Sequence, residues 1–188
     1  MANYAYLLNV GLPTNSREVL DLARKREGRE YVSVEGPKYR IPLPWLRCFR
    51  QEELRPYLLD DYAMQVPVTT VEQAIRNLTE SWPMYLQLVG NEAIARGYWQ
   101  DAIDALRAFR LPYLTIDVDE IFVLSDLDEN RDALLHALGS NPDPFPGLGV
   151  FFSYDPVHLP YPIEVLHSDP DARQQDRIEN CIALHFNG

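Results

Sequence analysis

Between residues 71 and 124 the apolar residues change their spacing, and that change limits the chain to folds that join a group of helices to a sheet. Val71, Ala74, Ile75 and Leu78 are spaced by three, one and three, the stripe of an amphipathic helix, and Thr70 stands where an N-cap belongs. Trp82-Pro83 opens a second helix, because proline fits the first helical turn, and Met84, Leu86, Leu88, Val89 and Ile94 carry its pattern to Gly97. Trp99, Ile103, Leu106 and Phe109 repeat it to Arg110, so three consecutive helices are expected. From Tyr113 the period is two: Tyr113, Thr115, Asp117 and Asp119 alternate with Leu114, Ile116 and Val118, before the unbroken run Ile121 to Leu124. A hairpin turning at Asp119-Glu120 and one long bent strand both fit this stretch.

Other strands and helices flank this core pattern. Tyr4 to Val10 reads as a buried strand stopped by Gly11-Leu12-Pro13, followed by a helix that Ser16 caps and Gly28 ends. Tyr31 to Val34 suits a short strand, and Pro37, Pro42 and Pro44 predict an extended, irregular path to Trp45. One short helix is expected within 46–59, and a strand over Tyr62 to Val68. Asp126 through Glu129 has the D-x-x-E form of a capping box, ahead of a helix whose face is Leu127, Leu134, Leu135 and Leu138 and whose stop is Gly139. Residues 141–170 hold seven of the 15 prolines, interleaved with aromatics such as Phe145, Phe151, Tyr154 and Tyr161, which predicts loops and short strands lying on the core. A polar helical turn over 171–179 and a strand over Cys181 to Phe186 complete the chain. A length of 188 residues supports a single domain over 1–188. Its class is α/β in the α+β sense: a mixed or antiparallel sheet with a central group of amphipathic helices.

The motifs that name a reaction are missing. No Walker A loop, G-x-S-x-G, G-x-G-x-x-G or HExxH occurs, and His136, His158, His167 and His185 lack metal-ligand spacing. Asp126, Asp128, Asn130 and Asp132 match the first four ligand positions of a calcium loop. Arg131 and Ala137 then stand where the loop needs glycine and glutamate, so helix capping is the better account. Cys48 and Cys181 form no CxxC and read as buried structural thiols. No catalytic residue, cofactor or metal is expected. The start Met1-Ala2-Asn3-Tyr4 has no basic, then apolar, leader, and no run of about 18 apolar residues occurs, so a cytoplasmic chain with no membrane partner is expected.

Charge is the remaining signal. The chain has 28 acidic and 17 basic residues, a net charge of -11, which disfavours direct binding to nucleic acid. The imbalance is regional: residues 1–60 carry ten basic and eight acidic groups, and 61–188 carry seven and 20. Asp117, Asp119, Glu120, Asp126, Asp128, Glu129 and Asp132 alone, against Arg131, supply -6. A solvated helix start would accept such charge. A docking face for a basic protein would use it, by steering the partner into contact. Trp82, Tyr85, Tyr98 and Trp99 are available as aromatic anchors, although at helical spacing such residues more often pack inside.

The opening Met1-Ala2-Asn3-Tyr4-Ala5-Tyr6-Leu7, the central amphipathic helices, and Tyr113-Leu114 followed by Asp119-Glu120-Ile121-Phe122 resemble a family of small bacterial proteins that begin Met-Ala-Asn-x-x-Tyr-Leu. The order agrees to about residue 140. Asp119 stands in place of the family's usual glycine, and the basic stretch Arg24 to Arg29 is an addition. The resemblance implies an immunity protein of a polymorphic toxin, of the type VI or contact-dependent kind. Such a protein would occlude a basic nuclease effector with the seven carboxylates as the partner-binding face. Two other readings compete. One is a metal-dependent hydrolase using Asp117, Asp119 and Asp128, and the other is a secretion adaptor or chaperone.

Overall fold

The strand Tyr62–Thr70 runs directly into the helix Val71–Glu80, because the Thr70 hydroxyl accepts from the Gln73 amide at 3.0 Å and fills one of that helix's open donors. The computed structural model describes residues 4–15, 17, 31–36, 41–59, 61–89, 92–124 and 126–139. In chain order these form β1 (Tyr6–Val10), β2 (Tyr31–Glu35), α1 (Leu43–Arg47), a 3-10 turn (Gln51–Glu53), β3 (Leu54–Leu59) and β4 (Tyr62–Thr70). There follow α2 (Val71–Glu80), α3 (Trp82–Val89), α4 (Glu92–Ala108), β5 (Tyr113–Asp117), α5 (Asp119–Phe122) and α6 (Leu127–Leu138). The five strands make one antiparallel sheet in the order β2-β1-β5-β4-β3, so the class is α+β as expected.

Alternation along β1 and β5 decides what the sheet buries. Leu7 lies opposite Ile116 and Val34, and Leu7, Val34, Leu114 and Ile116 enter the main core with Ala74, Leu78, Ala102, Leu106, Phe122 and Leu134. Leu8 and Val10 point to the other face, where Tyr6 and Tyr113 pack on them. Trp45, Phe49 and Met64 are fully buried and extend the main core past α1.

A proline marks the seam of the sheet. Up to Pro67, β4 pairs with β3, and from Val68 to Thr70 it pairs with β5. Pro67 has no N–H to give, and its carbonyl accepts from the buried Thr115 hydroxyl at 2.9 Å, so a side chain of β5 satisfies the acceptor at this seam.

Several boundaries differ from the sequence expectation. Within 46–59 the helical pieces are the 3-10 turn Gln51–Glu53 and the end of α1, which starts earlier, at Leu43, because Pro44 occupies its first turn, where a missing N–H is harmless. Residues 54–59 are instead strand β3, joined to β4 through Asp61 in the left-handed region at φ 82°. The last of the three central helices starts at Glu92 and runs through Gly97, where added side-chain atoms would meet nothing within 4 Å. Neither the hairpin nor the long bent strand over Tyr113 to Leu124 is present. The Asp117 carboxylate accepts from the Asp119 amide at 3.1 Å, ends β5 and starts the single turn α5, which buries Ile121 and Phe122 and leaves Val123 exposed. The expected Ser16 helix beyond Arg17, the 141–170 segment, the turn over 171–179 and the Cys181 to Phe186 strand lie outside the described residues.

Polar side chains carry much of the long-range stitching. Glu53 accepts from the Arg50 amide at 2.7 Å, from Asn77 Nδ2 at 3.2 Å and from the Thr69 hydroxyl. Asn77 also donates to the Cys48 carbonyl at 2.9 Å and accepts from Gln73 Nε2 at 2.8 Å, so both its amide protons and its oxygen are engaged. The 3-10 turn, β4 and α2 are thereby held together through groups that burial would otherwise penalise.

Candidate functional site

The end of β5 gathers the first three of the predicted partner-binding carboxylates. β5 stops at Asp117, and α5 begins two residues later, so Asp117, Asp119 and Glu120 sit on one tight turn. The buried Tyr57 of β3 donates its hydroxyl to Asp119 Oδ1, and Arg17 Nη1 lies 3.9 Å from Asp119 Oδ2. Asp119 is held from two sides, and only 16% of its side chain is exposed. Glu120 is exposed and accepts from the Tyr4 amide at 3.0 Å, which ties the turn to the residue two before β1.

Burial sets the proton affinities in this cluster. The Asp117 carboxyl is pushed up to about 6, first by loss of solvent and then by the neighbouring Asp119 charge, while the hydrogen bond from the Asp119 backbone acts the other way. Tyr57 is raised far above the usual phenol range by burial and by its hydrogen bond to Asp119. Tyr6, opposite Asp117 in the sheet, is also raised, by burial and then by Glu120, Glu35 and Asp117. All three groups therefore hold their protons more firmly than in water.

The other four carboxylates belong to the first turns of α6 and do different work. Asp126 is the N-cap: one of its oxygens accepts from the Asp128 and Glu129 amides at 2.9 and 3.0 Å. Asp128 pairs with Arg131 at 2.7 Å, Arg131 also reaches Asp132 at 3.4 Å, and Glu129 is exposed. Asn130 points inward and donates to the Phe122 carbonyl at 2.8 Å, fixing α6 against α5. The seven residues thus divide into a half-buried pair, Asp117 and Asp119, and an exposed set, Glu120, Asp126, Asp128, Glu129 and Asp132.

Val123 was not singled out by sequence reasoning. It lies in the turn between α5 and α6, three residues from exposed Glu120 on one side and from exposed Asp126 on the other, and 56% of it is open to solvent. The continuous run Ile121 to Leu124 concealed it, since only the helical turn distinguishes the outward position from the inward ones.

The remaining candidates fall elsewhere. Among the described residues no group of three or more His, Cys, Asp or Glu side chains is placed to hold a metal ion, so Asp117, Asp119 and Asp128 do not converge as a ligand set. Trp82 and Trp99 meet edge-on at 5.3 Å and pack α3 on α4, with Arg96 5.2 Å over the Trp82 ring. Tyr98 packs against the core, and the Tyr85 side chain lies outside the described set. Trp82, Tyr98 and Trp99 thus serve the interior. Cys48 is fully buried, donates its thiol to the Pro44 carbonyl at 3.1 Å, and is pushed up to about 12 by burial. Its thiol is structural, whereas Cys181 lies beyond the described residues. No helix among the described residues is long and apolar enough to cross a membrane. Comparisons of the chain with protein-family profiles, with curated proteins and with solved structures found no significant match.

Proposed function

We propose that the chain is a cytoplasmic immunity protein that binds a cognate secreted toxin, a basic nuclease effector of a type VI or contact-dependent system, and neutralises it by occluding its active site. The observation that supports this reading is Val123, an exposed apolar side chain three residues from exposed Glu120 and from exposed Asp126, just ahead of the helix that carries exposed Asp128, Glu129 and Asp132. An apolar centre with a charged rim is how a protein-binding face divides its work: the rim attracts and orients, and the desolvated centre slows release. Asp117 and Asp119 act here as positioning residues, since their hydrogen bonds to the Asp119 backbone and Tyr57 fix the turn that presents Val123.

Co-expression with the product of the neighbouring gene tests the proposal. The expected result is a stable complex, loss of nuclease activity and rescue of growth. Absence of a complex overturns it. A complex in which the nuclease stays active assigns the chain to secretion adaptors instead.

A further inference from the structure

We propose that Arg47 forms an oxyanion-binding site, in which the Nε–Nη2 edge of its buried guanidinium receives a small carboxylate or phosphate through two parallel hydrogen bonds. Arg47 closes the five-residue helix α1 and is only 4% exposed. Its Nε and Nη2 are both fully buried, and neither has a hydrogen-bond acceptor. These two nitrogens form one edge of the planar group. Their N–H bonds run side by side, which is the fork that matches the two oxygens of a carboxylate or two oxygens of a phosphate.

Nothing among the described residues neutralises this cation. Nη1 meets only the Met84 sulfur, at 4.0 Å, a weak acceptor. The carboxylates beside Arg50 are committed elsewhere: Glu53 serves the Arg50 amide, Thr69 and Asn77, and Glu80 pairs with the Arg50 guanidinium at 3.4 Å. Arg50, three residues on, adds a second positive charge and donates to the Arg47 carbonyl at 3.4 Å. Burial and that like charge lower the Arg47 proton affinity to about 10, so it is still cationic at neutral pH. A buried, charged donor pair beside another cation is costly until an anion meets it.

The side chain in contact with the guanidinium is a flexible one. Met84, on α3, is half-buried, so the residue that contacts the guanidinium also reaches the surface. An unbranched thioether can rotate aside without disturbing the helices.

The test is thermal unfolding of the full chain with inorganic phosphate and with acetate, each against chloride at equal ionic strength, in the wild type, Arg47→Met and Arg47→Lys. In the wild type at least one oxyanion raises Tm saturably, by about 2–4 °C at about five times its dissociation constant. A response to phosphate with none to acetate identifies the ligand class as phosphate, and the reverse as carboxylate. Arg47→Met abolishes the shift. Arg47→Lys, a point charge without the fork, weakens it by about tenfold in midpoint concentration. If Arg47→Met does not fold, the lysine variant alone decides. No saturable shift in the wild type beyond that in chloride, or an undiminished shift in Arg47→Lys, overturns the proposal.

Discussion

The side-chain amide of Asn9 and the backbone of Leu111 exchange two hydrogen bonds: Asn9 Nδ2 donates to the Leu111 carbonyl at 2.7 Å, and the Leu111 amide donates to Asn9 Oδ1 at 3.0 Å. The second Nδ2 proton goes to the Tyr113 carbonyl at 2.8 Å. A fully buried side chain of β1 thus acts as a strand partner for the loop that feeds β5, and aligns Val10 with Tyr113. Asn9→Leu leaves the Leu111 groups unpaired and costs about 2–3 kcal/mol in urea unfolding. Asn9→Asp costs more, because it turns both donors into acceptors and buries a charge.

Gly36 is positioned by close approach. Its amide donates to the Ala5 carbonyl at 2.8 Å, and an added Cβ would stand 3.2 Å from that oxygen and from two carbons of the buried Trp45 ring. Gly36→Ala therefore destabilises by about 1–3 kcal/mol through overpacking. Replacing Trp45 by Phe in the same chain relieves part of that cost, and a double-mutant cycle on denaturant midpoints measures the coupling.

Asp117 gives a pH dependence whose sign is opposite to that of an ordinary salt-bridged carboxylate. Its folded-state value of about 6 exceeds the unfolded one, so the folded protein binds the proton more tightly and loses stability as pH rises from about 4 to 6. Asp117→Asn keeps the oxygen that accepts from the Asp119 amide and removes the titration. The variant is more stable than the wild type by about 2–3 kcal/mol above pH 6, and the two converge below pH 4. A flat difference across that range refutes this assignment.

The exposed acids separate by role. Asp126→Ala removes the α6 cap and costs about 1 kcal/mol of stability. Glu129→Gln with Asp132→Asn leaves the cap intact but slows association with a basic toxin by about threefold to tenfold at low salt, an effect that fades at high salt. Val123→Ser acts on the dissociation rate instead, raising it about tenfold without lowering Tm. Surface plasmon resonance at two ionic strengths distinguishes these outcomes.

The parts of the fold that local chemistry dictates were legible in the chain. The stripe Val71, Ala74, Ile75 and Leu78 with its Thr70 cap, and the Asp126 cap of α6, stand where spacing placed them. Strand β3 was hidden because Arg55, Pro56 and the exposed Leu58 break any alternation, and pairing with β4 alone makes it a strand. The turn α5 was hidden because Ile121 to Leu124 is apolar throughout, so its period is invisible until Asp117 ends the strand. The acidic stretch was visible as charge, but its division into a half-buried pair and an exposed rim depends on Tyr57 and Arg17, both distant in sequence. Glu53 and Arg47 gave no signal at all: a charged residue beside prolines and aromatics reads as surface until tertiary packing encloses it.

The partnership of Asn9 with Leu111 also sets a schedule. The two residues are 102 apart in the chain, and β1 has no β5 to pair with until that distance has been made. At ribosomal speeds of about 5–20 residues per second, that is a wait of about 5–20 s for a strand carrying Leu7, Leu8 and Val10. The hairpin of β3 and β4, whose partners are near in sequence, forms within microseconds of emerging. β1 can pair early with β2 on one side, but its other edge stays open until β5 emerges, and the growing chain must keep that edge from other nascent strands until then.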